Sequence, residues 1–179
     1  MTMTTAQRQE LVMLARVRAQ QYSLDPALVC AVIEQESKWD RWAINPEPDY
    51  AYLWDVEAGK PFRKLLPAER FAEKPPTDFP FYRGEDRDAE WWGQQMSWGL
   101  MQVMGAVARE CGFKGRFLTE ICDVNYGLEY GCRHLARKLE QSGGDIARAL
   151  LRWNGGGNPL YPSEVMARMA AYQAPGGNS

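Results

Sequence analysis

Apolar residues recur at helical spacing along most of this chain, and one long proline-rich stretch interrupts them. Residues 5–21 place Leu11, Leu14, Ala15 and Arg18 on one stripe and predict an amphipathic helix. Asp25-Pro26 is a strong helix start, an N-cap followed by proline in the first turn. Leu28, Val29, Val32 and Ile33 carry that helix to about Trp39. The spacing returns from Gly99 with Leu100, Val103, Met104 and Val107. A helix over roughly 124–141 aligns Val124, Leu128, Cys132, Leu135 and Leu139, with Gly143-Gly144 past its end. Asp145 caps the next, which carries Ile146, Ala149, Leu150 and Trp153 and is broken by the run from Asn154 to Pro159. A final helix follows Pro162, and the tail at 174–179 is expected to fray. No strand or hairpin pattern competes, apart from weak ones inside the interrupted stretch.

That stretch, residues 46–96, holds Pro46, Pro48, Pro61, Pro67, Pro75, Pro76 and Pro80, which exclude long regular helices. It is also rich in aromatics, among them Tyr50, Tyr52, Trp54, Phe62, Phe71, Phe79, Phe81, Tyr82, Trp91 and Trp92. A disordered linker is poor in such residues. The expectation is therefore an ordered insertion with its own small core and short helices near 62–72 and 86–95.

The helix after Asp25 distinguishes two glutamates. On a wheel of about 100° per residue with Leu28 at zero, Glu36 falls near about 80°, inside the apolar stripe, with Trp39 at about 20°. Glu34 falls at about 240°, on the opposite face. Glu34 is thus expected to be solvated, and Glu36 to sit at the core edge beside a tryptophan. A carboxyl in apolar surroundings has its charged form disfavoured, which keeps a proton available for general-acid work on a glycosidic oxygen. The alternative is a core-edge glutamate satisfied by backbone N–H groups or an arginine.

Composition narrows the field. The 179 residues suit one domain, with 45% hydrophobic and 25% charged residues typical of a globular protein. A net charge of -2 gives no overall basic field for nucleic acid. No run approaches the roughly 18 apolar residues of a membrane span. Arg8, Glu10, Arg16 and Arg18 interrupt any signal-peptide core, so the chain as written is expected to be made in a cytoplasm. Cys30, Cys111, Cys122 and Cys132 lack CxxC spacing, and reduced thiols are the default, with Cys30 and Cys132 as small core residues. A Cys111–Cys122 pairing is compatible with the spacing but not required by it. His134 is the only histidine, and no metal-ligand cluster, Ser-His-Asp arrangement or phosphate loop is present. Neither metal nor cofactor is expected.

Three motifs point further. Ala31-Val32-Ile33-Glu34-Gln35-Glu36-Ser37-Lys38-Trp39, followed by Ala43-Ile44-Asn45-Pro46, resembles the catalytic helix of the soluble lytic transglycosylase (SLT) family. Ser97-Trp98-Gly99-Leu100-Met101-Gln102-Val103-Met104 is similar to that family's glycine-Leu-Met-Gln motif, expected to open a helix. Asn125, Gly127, Gly131 and Leu135 resemble its next helix, and Ala149-Leu150-Leu151-Arg152-Trp153-Asn154-Gly155 its Ala-Leu-x-x-Tyr-Asn-x-Gly motif. The resemblance covers roughly residues 22–45 and 97–170. It implies a mainly α, lysozyme-like (goose-type lysozyme/SLT-like) single domain with a Pro/aromatic-rich insertion at about 46–96. Carried over residue by residue, it makes Glu36 the catalytic acid/base, with Ser37, Gln102, Met104, Trp153 and Asn154 lining the substrate groove. The plainer roles are a helix cap for Ser37, core packing for Met104 and a turn for Asn154.

Two departures stand out. Trp153 takes the place of a tyrosine whose phenol can hydrogen-bond the catalytic carboxylate, and an indole donates but cannot accept. The insertion replaces a short loop and is expected to wall or lid the groove. The matched motifs supply one carboxylate, Glu36, whereas hydrolases of this kind pair two. By resemblance, one suffices for a lytic transglycosylase, which cleaves the MurNAc–GlcNAc bond of peptidoglycan and leaves a 1,6-anhydromuramoyl end. Glu57, Glu85, Asp86 and Asp88 keep a lysozyme-like hydrolase as the rival, and a non-catalytic glycan-binding or virion module is a second. The expected partner is the peptidoglycan glycan strand, bound by a monomer with no nucleic acid and no membrane insertion. Without an export signal, the chain fits a phage lysis or virion enzyme or an effector delivered by dedicated machinery.

Overall fold

The computed structural model describes residues 3–47, 50–70, 72–82 and 86–173, and the chain is mainly helical. Pro48, Phe71, Glu85 and the 174–179 tail, all named above, lie outside the described residues. Two compact units divide the chain, Met1–Asp40 with Gly131–Ser179, and Arg41–Tyr130.

In the first unit, helix α1 (Thr5–Gln21) starts at a capping box in which Thr4 accepts from the Gln7 N–H and the Gln7 side chain accepts from the Thr4 N–H. Helix α2 (Pro26–Ser37) starts as its sequence predicts, with the Asp25 carboxylate accepting from the Ala27 N–H at 2.7 Å. Every residue from Ala27 to Ile33 is buried. α2 is the central helix of the unit, packed against α1 and against α7 (Tyr161–Met169), so it has no solvent face over its first two turns. Small residues at Ala27, Cys30 and Ala31 allow this close approach.

The end of α2 differs from expectation. The helix stops at Ser37, because Lys38 (φ 52°) and Trp39 (φ 71°) both turn left-handed. Such a conformation is costly for a bulky side chain. It carries Trp39 off the helical wheel into a buried position against Tyr172, ring centroids 5.9 Å apart.

Helix α5 (Val124–Gln141) contains the boundary between the units, and Val124, Leu128, Cys132 and Leu135 along it are buried as predicted. It ends at Gly143 and Gly144, both left-handed, where the Gly144 N–H reaches the Leu139 carbonyl at 3.0 Å. Helix α6 (Ile146–Trp153) follows its Asp145 cap and packs on α7.

The second unit holds strands that the sequence did not announce. β1 (Ile44–Pro46), β4 (Met96–Trp98) and β5 (Val103–Met104) form an antiparallel sheet in the order β1-β4-β5, with Ile44 opposite Trp98 and Trp98 opposite Val103. Residues 99–104 are therefore a hairpin, not a helix. Leu100 and Met101 are buried at its tip, which produces the apolar spacing that resembled a helix. Gly99 has φ 69°, and a Cβ there would meet the Ile121 carbonyl oxygen at 2.8 Å, so the turn requires glycine. The described residues of the 46–96 stretch fold around a core of Leu53, Leu65, Phe79 and Trp91 with Ala106, against which Tyr50, Tyr52 and Phe62 pack. Its regular elements are a hairpin of β2 (Trp54–Asp55) with β3 (Lys60–Pro61), a short 3-10 turn at Pro67–Glu69, and α3 (Arg87–Gln94). α3 packs on α4 (Gly105–Glu110). All four cysteines are buried, and burial pushes the Cys30 thiol up to about 11.

Candidate active site

Glu36 lies on the last turn of α2, half-buried. Two neutral donors converge on its Oε1. The Trp153 indole N–H, from the final residue of α6, reaches it at 2.8 Å, and the Tyr161 hydroxyl, from the first residue of α7, also donates to it. Burial, and then the adjacent Glu36 carboxylate, push the Tyr161 phenol well above its ordinary range, so it stays an O–H donor. An oxygen that already accepts two hydrogen bonds has less capacity for a proton of its own.

The tryptophan beside Glu36 is thus Trp153 and not Trp39. Tyr161 did not emerge from the sequence motifs at all. A signal existed: with Trp153 in the tyrosine position, Tyr161 is the one tyrosine between residues 146 and 169. Pairing it with Glu36 depends on the path of the 154–160 loop, where Gly155 and Gly156 are both left-handed. The Asn154 side-chain oxygen accepts from the Asn158 N–H at 2.8 Å and holds that loop, which matches its turn role. The Ser37 hydroxyl donates to the Ile33 carbonyl one turn back, at 3.2 Å.

Glu34 corrects a further expectation. Instead of being solvated, it accepts from Arg8 at 2.5 Å, from the Trp39 indole at 3.1 Å and from the Tyr172 hydroxyl. The wheel assumed a water-facing side, but the side opposite Glu36 is covered by α1 and by the 3-10 turn Ala170–Tyr172. Burial raises the Glu34 carboxyl pKa, yet Tyr172, Trp39 and Arg8 together outweigh burial and hold it below the ordinary 4.5. A depressed carboxylate adds stability above that ordinary value and loses it as pH falls through the folded one. Glu34→Gln is therefore expected to cost about 1 kcal/mol at pH 7. The deficit should shrink as pH falls below 4.5 and through the folded value, where both side chains become neutral. Melting curves of the two proteins at pH 7 and across a series of lower pH values check this, and a deficit constant across the series would refute it.

Gln102 and Met104 belong to the second unit. The Gln102 amide is fully used there: Oε1 accepts from Asn45 at 2.5 Å and Ser97 at 2.9 Å, and Nε2 donates to the carbonyls of Ala43 at 3.0 Å and Gly99 at 2.8 Å. The Asn45 and Ala43 bonds hold the hairpin turn to β1 and the residue before it, and the Ser97 and Gly99 bonds brace the turn itself. Together they offset the left-handed backbone of Gln102 (φ 47°). Met104 is half-buried on β5 opposite Ser97. Among the described residues, no group of three or more His, Cys, Asp or Glu side chains is placed to hold a metal ion, and no helix is long and apolar enough to cross a membrane.

Comparison with protein families matches residues 13–170 to the transglycosylase SLT domain. No curated protein and no solved structure matches the chain.

Proposed function

The chain belongs to the transglycosylase SLT domain family, lysozyme-like in fold and acting on peptidoglycan, and from that premise we propose that it cleaves the MurNAc–GlcNAc β-1,4 bond without water, using Glu36 as acid and then as base. The observation that carries this reading is the convergence of the Trp153 indole and the Tyr161 phenol on one oxygen of Glu36.

In the first step the Glu36 carboxyl gives its proton to the glycosidic oxygen as the C1–O bond of the muramic sugar breaks. The GlcNAc leaves with a free hydroxyl, and positive charge develops at C1. Negative charge grows on Glu36 at the same time. Hydrogen bonds to an ionised acceptor are roughly twice as strong as neutral ones, so both donors stabilise the transition state more than the resting acid. In the second step the C6 hydroxyl of the same sugar attacks C1, and its proton returns to Glu36. The ring closes as a 1,6-anhydro end, and the enzyme is regenerated with no water consumed.

One carboxylate serves both steps. The other nearby carboxylates of the first unit have structural partners, Glu34 as described and Glu164 with Gln35 at 3.0 Å. In the insertion, Asp86 caps α3 and Asp88 pairs with Lys74. For these groups the engagements favour the one-carboxylate reaction over hydrolysis, which needs a second carboxyl group about 5–5.5 Å or 6.5–9.5 Å from the first. Glu57 and Glu85 stay as the hydrolytic rival's candidates.

Digestion of purified sacculi, followed by mass spectrometry of the released muropeptides, tests the reading. Anhydro ends are expected. Reducing ends would show a hydrolase, and binding without release would show a non-catalytic module. Tyr161→Phe and Trp153→Phe each remove one donor and are expected to lower kcat about 10- to 100-fold, with KM within about twofold. Steady-state rates on soluble glycan fragments check this, and a loss confined to KM would assign both residues to substrate binding alone.

A further inference from the structure

His134 lies on α5 in the first unit, 8% exposed, and its Nδ1 has no hydrogen-bond partner among the described residues. Leucine would fill such a place without leaving a buried nitrogen unsatisfied, so a ring there has a role beyond filling space. The imidazole lies against the Trp153 indole, ring centroids 5.2 Å apart and planes tilted by 49°. Trp153 in turn donates to Glu36. Resting on the function proposed above, we propose that His134 is a positioning residue: it backs the Trp153 ring and so holds the indole N–H on Glu36 Oε1.

Two features make the support necessary. Trp153 is the last residue of α6, half-buried, and two left-handed glycines lie just beyond the Asn154 that follows it. The chain on that side does little to restrain the indole, so its orientation depends on what packs against its face. A tilted aromatic pair supplies a preferred geometry that an aliphatic neighbour does not. The backing ring is also uncharged. Burial, with Lys138 and Arg137 adding to it, pushes the His134 pKa down to about 3, so the ring is neutral at working pH.

A double-mutant cycle on kcat tests the role, with His134→Ala, Trp153→Phe and the pair. His134→Ala is expected to lower kcat about 10-fold with KM within about twofold, and to lower it less than about twofold when Trp153 is already phenylalanine. His134→Phe, which keeps a neutral ring, should recover kcat to within about threefold of the wild type. If His134→Ala does not fold, His134→Leu takes its place in the cycle. Equal losses in both backgrounds would overturn the proposal, because His134 would then act independently of Trp153. So would a His134→Phe variant as slow as His134→Ala. A wild type that releases no anhydro ends overturns the function reading itself, whereas an active enzyme without coupling overturns only the role of His134.

Discussion

Glu36→Gln is expected to abolish release of anhydromuropeptides, with kcat falling about 10³- to 10⁴-fold while the protein stays folded. The amide cannot deliver a proton to the glycosidic oxygen, and it cannot take one from the C6 hydroxyl. Both steps lose the same group. The substitution is also structurally mild. The glutamine carbonyl can accept from Trp153 and Tyr161 as Oε1 does, and its NH₂ takes the place of Oε2. The variant should therefore melt within a few degrees of the wild type and still bind sacculi. Muropeptide analysis and a melting curve on the same preparation check both halves. A Glu36→Gln protein that cleaves at a tenth of the wild-type rate or faster would remove Glu36 from the chemistry.

The second large effect is on stability and lies in the other unit. Glu90 on α3 and Arg109 on α4 form an ion pair whose side chains are 2% and 0% exposed. The pair is bidentate, with Arg109 Nε donating to Oε1 at 2.9 Å and its Nη2 to Oε2 at 2.6 Å. Arg109 also donates to the carbonyls of Phe113 and Gly115, closing the chain after α4. Gln94 links Glu90 to the backbone of Trp54 on β2. The network thus ties three parts of the insertion and its flank.

Glu90→Leu leaves a guanidinium buried without its counter-charge, which is expected to cost about 3–5 kcal/mol. The melting temperature should fall on the order of 10 °C. Replacing both partners, Glu90→Leu with Arg109→Met, should recover much of that loss, since two apolar groups leave no stranded charge. Thermal unfolding followed by circular dichroism distinguishes the three proteins. A single variant melting within about 2 °C of the wild type would show that water reaches the pair.

Much of the architecture was legible in local sequence because its causes are local. The Asp25 and Asp145 caps, Pro26 in the first turn, and Gly143-Gly144 after α5 act within a few residues of themselves, and α2 and α6 begin, and α5 ends, where they were expected. The aromatic content of 46–96 announced an ordered core, since so many buried rings exclude a linker. The 99–104 hairpin was missed because a buried turn tip, Leu100-Met101, reproduces helical spacing over a few residues. Only the pairing of β4 with β1, more than 50 positions away in sequence, reveals it.

The two glutamates of α2 show where local reading stops. Periodicity alone distinguished Glu36 from Glu34, and the three motifs marked Glu36 as the acid/base to test. Their partners belong to tertiary structure. A wheel assigns directions around a helix, but it cannot say that α1 and the 170–172 turn pack on the far side and bring Arg8 and Tyr172 to Glu34. Nor can it say that the 154–160 loop returns Tyr161 to Glu36 beside Trp153. The sequence determined which glutamate we propose as the proton carrier, because that choice depends on residue type and helix position. The fold decided which donors hold it, because those contacts join residues 117 and 125 positions apart.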